Sequence, residues 1–92
     1  MLGYQECFDI IAEKLNRERV YRLGIKLKLP DNEVDDICNG NFSRYDKTYK
    51  ILRLWRNKTG KQADINQVIA SLKNMNENDI ANIIEATLDS SK

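Results

Sequence analysis

The spacing of the apolar residues constrains this chain more than any other feature. On a wheel of about 100° per residue, six successive segments each gather their apolar side chains on one face. The first aligns Tyr4, Phe8, Ile11, Ala12 and Leu15, and the second Val20, Leu23, Gly24 and Leu27. A short third aligns Val34, Ile37 and Cys38, and a longer fourth spans about residues 43–58. The fifth holds Ile65, Val68, Ile69 and Leu72; the sixth holds Ile80, Ile83, Ile84 and Leu88. No segment keeps a two-residue alternation for long, so strands are not expected. Six amphipathic helices with short connections can cover their apolar faces only by packing on one another as a compact bundle.

The residues between the segments agree. Ser43 with Asp46, Asp64 with Gln67, and Asn76 with Asp79 have capping-box spacing, which supplies acceptors to the unpaired N–H groups of a first helical turn. Pro30 suits a first-turn position, followed by Asp31 and Glu33 at the positive helix start. Gly40 and Gly60 follow the third and fourth segments, where a left-handed residue ends a helix at low cost.

The fourth segment carries the only tryptophan, Trp55, among Arg53, Arg56, Lys58 and Lys61. Its apolar arc is very wide, running through Tyr45, Tyr49, Leu52, Trp55, Ile51 and Leu54, with Arg53, Asp46, Asn57 and Lys50 opposite. That pattern predicts a mostly buried helix with a narrow polar strip, on which Asp46 and Lys50 form an i,i+4 pair. The aromatic residues share the apolar arc and the cations face away from it. Base stacking needs exposed rings interleaved with cations, so Trp55 reads as core together with Leu52, Ile69 and Leu72.

Ninety-two residues, 41% of them hydrophobic, suit one domain over 1–92 with a small core. There is no apolar run long enough to span a bilayer and no signal-peptide pattern at the start, so a cytoplasmic protein without membrane insertion is expected. Cys7 and Cys38 form no CxxC and sit in apolar patterns, as reduced, buried thiols do. The chain has no histidine, which removes histidine-based acid–base, nucleophilic and zinc chemistry. Its four glycines form no phosphate-cradling loop. No enzyme, cofactor or metal is expected.

The net charge of +1 conceals alternating blocks. Arg17, Arg19, Arg22, Lys26 and Lys28 are followed by Asp31, Glu33, Asp35 and Asp36, then by Arg44, Lys47, Lys50, Arg53, Arg56, Lys58 and Lys61. On the second helix Arg19, Arg22 and Lys26 share the face opposite Val20, Leu23 and Leu27. On the third, Glu33 and Asp36 point outward, with Asp31 and Asp35 at the flank. Arg22–Lys26, Asp31–Asp35 and Glu33–Asp36 are like-charge pairs at helical spacing, each costing a few tenths of a kcal/mol. Asp35 and Asp36 also come late in their helix, where the dipole disfavours anions. Stability alone does not select this arrangement; complementary binding does. The expected interaction residues are Arg19, Arg22, Lys26, Lys50, Arg53 and Arg56 on basic surfaces, and Asp31, Glu33, Asp35 and Asp36 on an acidic one. A small helical nucleic-acid-binding domain is the alternative; the near-zero net charge and the acidic third helix count against it.

Several segments resemble the death-domain family. They are the run from Thr48 through Trp55 with Asn57-Lys58-Thr59-Gly60 after it, "LGIKLKLPDNEVDDI" (23–37), "ADINQVIASLKNMNENDIANII" (63–84) and "CFDIIAEKL" (7–15). The fourth segment is most similar to death domains of TNF-receptor-type receptors, the first to the Fas-associated adaptor. Where many members open the second helix with Trp, this chain has Val20 or Tyr21. The resemblance implies an all-α, six-helix antiparallel Greek-key bundle (the death fold) without catalysis. It implies homotypic binding to other death domains, often through charged patches, in oligomeric assemblies that link receptor, adaptor and effector.

Overall fold

A computed structural model describes residues 4–90; the remaining residues of the expected 1–92 domain lie outside the described ones. Six α-helices follow in order: α1 (Tyr4–Lys14), α2 (Val20–Lys26), α3 (Asp31–Asn39), α4 (Arg44–Thr59), α5 (Ile65–Asn74) and α6 (Asn78–Ser90). Short 3-10 turns at Arg17–Arg19 and Gly60–Gln62 lead into α2 and out of α4. α1 packs on α4 and α6, α2 on α3, α4 and α5, α3 on α4, and α5 on α6. This is the six-helix all-α bundle that the periodicity predicts.

The apolar faces close as expected in most places. Phe8, Ile11, Ala12 and Leu15 of the first segment, Val20, Leu23 and Leu27 of the second, and Val68, Ile69 and Leu72 of α5 are all buried. Ile37 and Cys38 are only half-buried, and Ile83 of α6 is exposed. Both cysteines are free thiols, and burial pushes each above its ordinary pKa. A raised pKa keeps a thiol protonated and poorly nucleophilic.

Trp55 is 2% exposed and sits at the centre of an aromatic cluster. Its ring lies 6.3 Å from those of both Tyr4 and Phe8, and Phe8 meets Tyr49 edge-on at 6.0 Å. Such pairs add about 0.5–1.5 kcal/mol each to plain area burial. The Tyr4 hydroxyl donates to the Ala63 carbonyl at 2.7 Å, fastening the start of α1 to the segment before α5. α4 itself is less buried than its wide arc predicts. Lys47, Thr48, Ile51, Leu52 and Trp55 are buried, but Tyr45, Tyr49 and Leu54 reach only intermediate depth. Tyr45 and Tyr49 stand at the rim of the α1 contact, Tyr45 hydrogen-bonded to Asp9 and Tyr49 against the Phe8 ring, and Tyr49 and Leu54 pack against the core without being closed in by it.

The helix ends show which punctuation holds. Ser43 Oγ accepts from the Asp46 N–H at 3.1 Å, a true N-cap of α4. The Asp64 carboxylate caps α5 through the Asn66 N–H at 3.0 Å rather than through Gln67, whose N–H bonds the Asp64 carbonyl at 2.8 Å. Pro30 is the residue before α3, its carbonyl accepting from the Glu33 and Val34 N–H groups. Gly60 has φ 65°, as a helix-ending glycine should, but Gly40 is extended at φ −72°. Asn76 is not a cap of α6. At φ 62° it closes α5, with the Asn76 N–H on the Lys73 carbonyl and the Glu77 N–H on the Leu72 carbonyl. α2 ends in the same way at Lys28, φ 64°, with the Lys28 N–H on Ile25 and the Leu29 N–H on Gly24. Both are Schellman closures in which a non-glycine residue takes the left-handed position.

Truncating Trp55→Ala should destabilise the domain by about 3–5 kcal/mol, a large part of the ~5–15 kcal/mol typical of a whole domain. Urea unfolding followed by far-UV circular dichroism measures it. Exposed Arg22→Ala should stay within about 0.5 kcal/mol in the same assay.

Candidate protein-interaction surfaces

The charged side chains divide into those consumed by the fold and those left free. Arg19 belongs to the first group. Its Nε pairs with Glu77 Oε1 at 3.0 Å and its guanidinium donates to the Met75 carbonyl at 2.7 Å, tying the entry of α2 to the α5–α6 corner. Arg44 donates to the Leu15 carbonyl at 2.9 Å, satisfying an acceptor just past the end of α1. Glu33 pairs with Lys58 at 2.9 Å; its side chain stays 36% exposed, with the paired Oε2 covered. Lys47 is 7% exposed, its stem lying in the bundle between α3 and α4 in the manner of an amphipathic side chain.

Arg22 and Lys26, on α2, are exposed and enter no ion pair among the described residues. Asp31, Asp35 and Asp36 of α3 are likewise exposed and unpaired. Partial burial, and then the nearby Asp31 and Asp35 charges, raise the Tyr21 phenol between these two faces. On α4, Arg53 is exposed and free. Arg56 lies 5.3 Å from the Tyr4 ring, and Lys50 lies 4.6 Å from the Phe42 ring. The Asp46–Lys50 pair is therefore not formed; the Phe42 ring face, brought over by the α3–α4 connection, takes the ammonium instead.

The structure thus brings Arg22 and Lys26 together on one face and Asp31, Asp35 and Asp36 on the next. It draws Arg19 and Glu33 into ion pairs with Glu77 and Lys58. Lys50, Arg53 and Arg56 lie on α4, the last two lining a groove with Gln5 and Tyr49 along the α1 seam. Sequence reasoning passed over Phe42, which is 38% exposed, because it falls between helices where no periodicity speaks for it. It also passed over the hydrogen bond from the Tyr45 hydroxyl to Asp9, which joins α4 to α1. Asp9 lies on no apolar face, and only the packing of the two helices brings it to Tyr45.

Among the described residues no group of His, Cys, Asp and Glu could hold a metal, and no helix is long and apolar enough to cross a membrane. A model of the death-domain family matches residues 5–88. The chain belongs to the death-domain family. No curated protein and no solved structure matches it. As a death domain it is a non-catalytic module of homotypic protein interaction in signalling.

Two measurements check this division. Arg19→Ala should lower the thermal midpoint of this death domain by several degrees, since it strands the Met75 carbonyl and Glu77, while Lys26→Ala leaves it nearly unchanged. The hydrogen bond to Asp9 pushes Tyr45 up from 10.0 to about 12. The neutral phenol is the form the fold favours, so this bond's contribution is full below pH 10 and lost as pH rises from 10 to 12. Ultraviolet titration should show a tyrosine titrating at about 12, which Asp9→Asn moves back toward the ordinary value.

Proposed function

We propose that this domain assembles intracellular signalling complexes, in apoptotic or innate-immune signalling, as a receptor tail or an adaptor. The Arg22/Lys26 face of one copy meets the Asp31/Asp35/Asp36 face of another death domain or of a second copy. Arg19, at the edge of the basic face, and Glu33, under the acidic one, hold the two faces in place. Lys50, Arg53 and Arg56 form a further basic strip on α4 for a second contact. The whole chain, 1–92, acts as one such domain in the cytoplasm, including the inner face of the plasma membrane if it is joined to a receptor.

One observation supports this reading above the others: like charges cluster, exposed and unpaired, on two adjacent helices. Each cluster costs its own helix stability, and opposite faces on separate molecules repay that by steering encounter and fixing register.

Charge reversal tests it. Asp36→Lys puts a cation where the α3 dipole favours one, and Arg22→Glu gives Lys26 an i,i+4 partner, so both variants should keep the fold. Each should weaken homotypic binding about tenfold or more, equivalent to ~1.4 kcal/mol, and a mixture of the two should recover part of it. If both bind and self-associate as the parent does, the charged faces are not the contact.

A further inference from the structure

Phe42 and a cleft lie at opposite ends of α4 and cannot meet within one molecule. Phe42 stands just before the N-terminus of α4, 38% exposed. Its ring lies against the last turn of α3: a Cβ added to Gly40 would come within 2.5 Å of it and 3.2 Å of the Asp36 carbonyl oxygen. The ring stands beside the end of α3 on which Asp35 and Asp36 are exposed. An aromatic side chain has few rotatable bonds to order on binding, which makes it an effective anchor.

At the other end of α4 a cleft of about 480 Å³ opens between the ends of α2 and α4 and the flank of α5. Leu27, Leu29 and Trp55 line its floor, and Lys26, Lys28, Lys58, Thr59, Gln67 and Ser71 its walls. Lys28 reaches this rim from a left-handed position, where glycine would be less strained. Of the three lysines Lys58 is paired with Glu33, and Lys26 and Lys28 enter no ion pair among the described residues. The lysines complement the negative ends of the α2 and α4 dipoles, which accounts for Lys26 and Lys58 but not for Lys28, outside any helix. The site is an apolar floor with a cationic rim, and Phe42 is an exposed ring, or knob, that follows the α3 turn carrying Asp35 and Asp36. Lys50, over the Phe42 ring, is the one like charge on the knob; it is exposed and held only by the ring face, so it can swing aside.

We propose that Phe42 of one copy inserts into this cleft of a second copy, with Asp35 and Asp36 meeting the lysine rim. This rests on the homotypic reading above and names a specific contact for it. α4 has 16 residues, or about 24 Å at ~1.5 Å per residue, which separates knob from cleft on one molecule. The contact is therefore head-to-tail. Each copy keeps a free knob and a free cleft, so the assembly stays open-ended.

Two charge-neutral variants test it on the whole chain by sedimentation velocity, with circular dichroism confirming the fold. Phe42→Ala removes the knob, and Gln67→Trp fills the cleft from its α5 wall. Each alone should weaken self-association about tenfold or more, as loss of an anchor does. A one-to-one mixture should form a dimer and stop there, because one variant keeps its cleft and the other its knob. Should Gln67→Trp fail to fold, Lys28→Gly removes a rim charge while suiting the left-handed turn. The contact is overturned if Phe42→Ala associates as the parent does, if the mixture stays monomeric, or if the parent chain itself is monomeric at millimolar concentration. It is also overturned if the variants lose binding only to a different death domain. Loss of assembly in Arg22→Glu with full assembly in Phe42→Ala overturns this contact and leaves the charged-face reading standing.

Discussion

Everything else in the domain hangs on the seam between α1 and α4. Phe8, Tyr4 and Trp55 meet there, and Trp55 is sealed among them. α4 is the longest helix and touches α1, α2 and α3, so the position of Trp55 sets where the others lie. The seam is fastened by two polar contacts, Arg44 to the Leu15 carbonyl and Tyr45 to Asp9, while Tyr4 ties the start of α1 to the Ala63 carbonyl before α5. A hydrogen bond of this kind is worth only about 0.5–1.5 kcal/mol net. These bonds choose one sliding register for two apolar faces that would otherwise pack in several.

A second consequence of that packing is a division of labour among the charges. The chain carries 15 basic and 14 acidic residues, so charge sum says nothing about binding. Position does. Arg19, Arg44, Lys58 and Glu33 are drawn to partners within the bundle, whereas Arg22, Lys26, Asp31, Asp35 and Asp36 are left without them. The two members of the α2 basic face that remain as free cations, Arg22 and Lys26, are exposed and enter no ion pair among the described residues.

The fold was almost wholly legible in the sequence, and the reasons are local. Apolar spacing marked all six helices, and Ser43 and Gly60 marked both ends of α4. Legibility failed where geometry depends on an element distant in sequence. Glu33 reads as an outward acid on its own wheel; only the arrival of α4 places Lys58 beside it. Lys50 reads as a partner for Asp46, but the α3–α4 connection offers it an aromatic face. Gly40 reads as a left-handed helix end, yet what its lack of a side chain supplies is room for Phe42. Asn76 shows the same limit: asparagine suits both an N-cap and a left-handed closure, and the wheel alone cannot separate them. The charged faces were legible as residues, but which members stay free was not.

The seam also has a consequence in time. α1 is made first, but its apolar face is covered by α4 and α6, which arrive later in the chain. While the polypeptide is being synthesised, at about 5–20 residues per second, Phe8 and Ile11 have no native cover until Trp55 has emerged. For those seconds the nascent chain shows the ribosome's surroundings an adhesive stripe that the finished domain hides completely. The helix that holds the domain together is therefore also its most exposed liability at birth, and chaperone contact should concentrate on α1.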